Sequence, residues 1–156
     1  MLTKYRMTGN GMTHAPTERL GFLLSDVARL FRAAFEREIA KSGLGVTPGE
    51  ARALTRIAAS NGVRQSEIAV ALGIEPMTLS RYVDGLEKAG LIERRVDPKD
   101  GRARCVSMTE RGEAVLADIR AHTDDLVARL QANLPESDRQ ALFRALRTMR
   151  DNFARL

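Results

Sequence analysis

QSEIAVALGIEPMTLSRYVDGLEKAGLIERRVDPKDGRARCVSM, residues 65–108, decides the fold of this chain. Its first part, Gln65 to Leu72, turns Ile68, Ala69 and Leu72 to one side at helical spacing, and Gly73 stops it in the position where helices favour a left-handed residue. A second helix opens at Pro76 and runs to Ala89, with Gly90 as its stop. Leu79, Val83 and Leu86 form its apolar face, whereas Thr78, Arg81, Asp84 and Lys88 form the opposite one. Two short alternating segments follow, Leu91 to Val96 and Arg104 to Met108, joined by Asp97-Pro98-Lys99-Asp100-Gly101, which has the chemistry of a hairpin loop.

Helices flank this unit. Residues 1–16 are polar, carry glycine and show no period, so they are expected to form a flexible tail, with the true start open among Met1, Met7 and Met12. From Thr17 to Lys41, Leu20, Leu23, Leu24, Val27, Leu30, Phe31, Phe35 and Ile39 recur every three or four residues on a stripe wider than one small neighbour needs. Thr47-Pro48-Gly49-Glu50 has the residues of a capping box and announces a further helix with Leu54, Ile57 and Ala58 inward. After the hairpin, Thr109 caps a helix to about Asn133, with Val115, Leu116, Ile119, Leu126, Val127 and Leu130 inward. Pro135 opens the last, with Leu142, Phe143, Leu146, Met149 and Phe153 on its apolar side. The expected architecture is mainly α with a small β wing. A tail (1–16) and an N-terminal helical segment (17–44) precede the central lobe (45–108), and C-terminal helices (109–156) follow it.

The chain has 156 residues, 44% of them hydrophobic, enough for a real core. Its net charge of +5 favours a polyanionic partner, and the charge is concentrated. Between Arg94 and Arg104 lie Arg94, Arg95, Lys99, Arg102 and Arg104 against Asp97 and Asp100. The single cysteine, Cys105, excludes an internal disulfide and fits a reducing compartment. No secretory signal or membrane-spanning run is present, so cytoplasmic residence is expected.

Helix, tight turn, helix and basic hairpin make a winged helix-turn-helix. The N-terminal residues of its second helix are those that reach base edges in the major groove of DNA. On that reading Arg81 takes a guanine or a phosphate, Thr78 and Ser80 hydrogen-bond to bases or backbone, and Met77 or the Thr78 methyl touches a thymine methyl. Pro76 and Lys88 complete the helical face. Arg94, Arg95, Lys99, Arg102 and Arg104 are expected on the neighbouring backbone or minor groove.

The segments TPGEARALTRIA (47–58), QSEIAVALGIEPMTLSRYVDGLEKAGLIERR (65–95) and DPKDGRARCVSMTERG (97–112) resemble the MarR family of bacterial transcription regulators, and the resemblance extends from about residue 17 to the end. It implies an obligate homodimer whose first, fifth and sixth helices intertwine, which would account for the wide stripe on the first helix. It also implies a pseudo-palindromic double-stranded DNA operator and a small aromatic or phenolic effector, with Phe31, Phe35 and Arg52 as expected pocket liners. The function so implied is a sequence-specific regulator, a repressor relieved by an effector. The alternatives are a low-specificity architectural or counter-silencing factor, or an activator without a ligand. Two departures stand out. Gly101 replaces the first of two adjacent wing arginines, and Gly85 occupies a recognition-helix site often held by a basic residue, so a backbone contact is expected to be missing there.

Other chemistry is poorly supported. Cys105 lies in a wing strand, whereas the peroxide-sensing thiols of the family lie near the N-terminal helix. His122 shares a helix face with Asp118 and Asp125, but two histidines in the whole chain make a closed metal shell improbable. No metal, cofactor, catalytic triad or phosphate loop is expected, and no enzymatic activity.

Overall fold

A computed structural model describes residues 20–59, 62–97 and 100–155, with the backbone alone for 100–103. In chain order the elements are α1 (Leu20–Lys41), α2 (Pro48–Ala58), β1 (Val63–Arg64), α3 (Gln65–Leu72), α4 (Pro76–Lys88), β2 (Ile92–Asp97), β3 (Asp100–Met108), α5 (Glu110–Leu130) and α6 (Glu136–Phe153). The expected tail, 1–16, lies outside the described residues.

The helix boundaries follow from local chemistry. At the start of α2 the Glu50 amide donates to Thr47 Oγ1 at 3.3 Å while the Thr47 amide donates to the Glu50 carboxylate at 2.7 Å, a complete capping box. Gly73 closes α3 at φ 62°, and the Gly73 and Ile74 amides donate back to the Val70 and Ala69 carbonyls. Thr109 Oγ1 caps α5 by accepting from the Gly112 amide at 3.1 Å, and it donates to the Gly90 carbonyl at 2.7 Å, tying the end of α4 to the start of α5.

The sheet has three antiparallel strands in the order β1-β3-β2. β2 and β3 pair from Ile92 opposite Met108 to Asp97 opposite Asp100, with an irregularity between Val96 and Asp97. Two features differ from the sequence reading. β1 was not anticipated; two residues are too few to show a period, and Val63 and Arg64 are held in the sheet only because β3 passes opposite them. β3 starts at Asp100 rather than Arg104, so the pairing runs further out than the turn composition suggested.

The chain divides after Ala34. Before that point, α1 exposes Leu20, Phe22, Leu23, Val27 and Leu30. After it, α2, α3, α4, the sheet and α5 share a core of Leu54, Ile57, Ile68, Leu79, Val83, Leu86, Ile92, Val106, Leu116 and Ile119. Helix α6 is different. Its apolar stripe buries no residue, and Leu142, Phe143, Leu146 and Phe153 are all exposed. Leu130 at the end of α5 is exposed as well.

At three glycines a Cβ would overlap a neighbouring group as the structure stands. A Cβ on Gly112 would overlap the Leu91 carbonyl oxygen, one on Gly49 the ring of Tyr82, and one on Gly85 the Glu50 carboxylate. Gly112 meets backbone, which cannot step aside as a flexible side chain does. Gly112→Ala is expected to lower stability by about 2–3 kcal/mol through overpacking, read as a shift of the urea midpoint. A shift worth less than about 0.5 kcal/mol would contradict this packing.

Candidate nucleic-acid interface

Helix α4 sorts its residues sharply. Leu79, Val83 and Leu86 are buried in the lobe core, and Pro76, Met77, Arg81 and Lys88 are exposed, with Met77 at 72%. Thr78 and Ser80 are half-buried at the margin. The outer face thus carries hydroxyls, a thioether and two cations at helical spacing, the residue types that read base edges and phosphates. Arg81 and Lys88 make no ion pair among the described residues, so their charge is turned to solvent.

The cations of the hairpin fall into two groups. Arg104 is exposed on β3 opposite Val96 and makes no ion pair among the described residues. Arg95 is 70% exposed and donates to Glu93 at 2.5 Å, a loose surface pair of little net energy. Arg94, by contrast, is turned back onto α4, where its guanidinium pairs with Asp84 and Glu87. Of the other expected wing contacts, Lys99 lies outside the described residues, and Arg102 is placed by its backbone only, within β3.

A residue with no role in the sequence reading joins this set. Arg64 Nε donates to Asp97 Oδ2 at 2.6 Å, linking β1 to the outer end of β2, and Asp97 is the one buried charged residue among those described. The pair spans 33 positions of sequence. Composition marked Asp97 as a turn former and partner for arginine, but nothing local signals which arginine it meets.

The surroundings of two expected positions, Gly85 and Arg52, are set by packing within the lobe. Gly85 was read as a lost backbone contact on the DNA side of α4. The structure turns its Cα toward α2, where the Glu50 carboxylate fills the space a side chain would need. A side chain at 85 would therefore have to displace the Glu50 carboxylate from its place in the capping box. Arg52, an expected pocket liner, donates to the Leu72 carbonyl at 3.3 Å and satisfies the end of α3. Phe35 is buried and Phe31 half-buried, both on α1. Among the described residues no group of three or more His, Cys, Asp or Glu side chains is arranged to hold a metal ion, and no helix is long and apolar enough to cross a membrane.

A profile of the MarR family matches residues 44–103, from the approach to α2 through the wing. Over these residues the chain is similar to the MarR family of transcriptional regulators. A Thauera aromatica protein named for transcriptional regulation of the hcr operon is 34% identical over 105 residues, 67% of this chain and 63% of that one. The chain thus spans just under two thirds of that relative. The transcriptional repressor MdtR of Bacillus subtilis is 28% identical over 121 residues, 74% of this chain and 78% of that one. Among solved structures, a crystal structure of MarR superposes with a TM-score of 0.77 at 27% identity, covering 92% of this chain and 97% of that one. CouR from Rhodococcus jostii RHA1, bound to p-coumaroyl-CoA, superposes with a TM-score of 0.69 at 26% identity, covering 88% and 95%.

The Arg64–Asp97 pair ties β1 to the outer end of β2 in a partly desolvated setting. Breaking a fully buried pair costs about 3–5 kcal/mol, and Arg64 remains 39% exposed, so a smaller loss is expected. Asp97→Asn is expected to cost about 1–2 kcal/mol in urea unfolding with an unchanged slope. A midpoint equal to that of the parent chain would show that the pair makes no net contribution.

Proposed function

We propose that this chain is a member of the MarR family and a homodimeric, sequence-specific double-stranded-DNA-binding regulator without enzymatic activity, a repressor released by a small-molecule effector. The observation that carries the DNA reading is the outer face of α4 beside the exposed wing cation. Met77, Thr78, Ser80 and Arg81 stand near the N-terminal end of a helix anchored on its other face, and Arg104 stands on the hairpin that follows. Such a lobe sets its helix in a major groove and its hairpin on the adjoining backbone.

The dimer is supported by α6. A helix whose apolar stripe buries nothing gains too little to persist in water, because helices are held chiefly by packing of an amphipathic face. The exposed apolar residues of α1 before Ala34 argue in the same direction. A second copy with the same stripes would cover both through a twofold interface. Twofold symmetry then calls for two half-sites about one helical turn, ~10 bp, apart.

Repression is supported by the likeness to MdtR, and an aromatic effector by the likeness to CouR in its bound form. Phe31 and Phe35 stay as proposed liners of an effector site. Arg52 does so only if its bond to Leu72 is exchanged for one to the ligand.

Two measurements test the reading. Sedimentation of the full chain should give a dimer at micromolar concentration, and Phe143→Asp should give a monomer; a monomeric parent chain would overturn the dimer. Binding to a duplex should weaken with salt, and Arg104→Gln should make the slope of log affinity against log salt shallower by roughly one unit. A parent chain that binds no duplex, or a slope untouched by loss of Arg104, would contradict the proposed docking.

A further inference from the structure

Arg94 is the cation whose surroundings least resemble those of a DNA contact. It follows the α4–β2 turn, its side chain is only 24% exposed, and it faces two carboxylates of the preceding helix. One guanidinium nitrogen, Nη2, hydrogen-bonds to Asp84 Oδ1, and Nε lies 3.4 Å from Glu87 Oε2. That Nε is buried and completes no hydrogen bond, so the guanidinium is committed to this pocket of carboxylates even where its geometry is imperfect. Asp84 and Glu87 are three residues apart on α4 and share a face, which lets one planar group bridge both. On the strand side, Arg94 stands opposite Val106, in the buried middle of β3. The side chain thus ties the centre of the wing sheet to the last turns of α4.

We infer that Arg94 is a positioning residue that fixes the wing against the recognition helix by bridging Asp84 and Glu87, rather than a contact to the DNA backbone. This rests on the proposed DNA-binding function and assigns a division of labour within it. Arg81 and Arg104 meet the nucleic acid, and Arg94 holds the angle between the elements that carry them. Asp84, an acid on the exposed side of a DNA-binding helix, is then retained as the anchor of that arginine despite its repulsion of phosphate.

The experiment compares Arg94→Gln, Arg94→Lys, Asp84→Asn and the doubly substituted R94Q/D84N chain with the parent. Each is titrated with a random-sequence 30-bp duplex over a range of salt, with amide exchange of the free protein followed alongside. Arg94→Gln is expected to weaken binding about tenfold while the salt slope stays at the parent value, because no phosphate contact is lost. Asp84→Asn is expected to weaken binding as well, although it removes a negative charge, and the double substitution to be no worse than either single one. Amide exchange over 84–89 and 92–96 should quicken in all three of these chains, with Arg94→Lys intermediate. A slope shallower by about one unit in Arg94→Gln, or tighter binding by Asp84→Asn, would overturn the inference and leave the DNA-binding reading intact. A parent chain that binds no duplex would overturn both.

Discussion

The lobe depends on how closely α2 approaches α4. Gly49 lies against the Tyr82 ring and Gly85 against the Glu50 carboxylate, so each helix presents a glycine where the other presents a side chain. Glu50 is at the same time the acid of the α2 capping box. One carboxylate therefore closes the first turn of a helix and fills the space left by a glycine on its neighbour. With α2 held there, Leu79, Val83 and Leu86 are driven into the core, and the residues between them face outward. The direction in which α4 presents Met77, Thr78 and Arg81 is a consequence of that packing.

Charge is then distributed according to which groups must stay fixed. Arg64 and Arg94 are part-buried and bound to carboxylates, one at the outer end of β2 and one at its middle. Arg81, Lys88 and Arg104 are exposed. A guanidinium held in a partly desolvated pair has given up its hydration and its freedom, and a second anion would have to compete with the first. An exposed one keeps both until it meets phosphate. A basic patch on a sequence is thus a mixture of struts and contacts, and only burial and partners separate them.

Much of this was legible in the residues. The capping signals at Thr47 and Thr109, the glycine stop at 73 and the apolar spacing of α4 each belong to one local segment, and local chemistry sets them. What was not legible depends on chain passing opposite chain. β1 exists because β3 lies beside it, Asp97 meets an arginine 33 positions away, and Gly85 faces α2 rather than solvent. The stripe of α6 was legible as apolar, but periodicity reports that a face must be covered and not which molecule covers it.

The central claim is that two such lobes, carried by one dimer, read a twofold DNA site. Selection of the protein against a library of random duplexes is the test. Enrichment of an inverted repeat with half-site centres about 10 bp apart is expected, lost when Arg81 is replaced by Ala. Enrichment of no motif, or of a single unrepeated half-site, would contradict it.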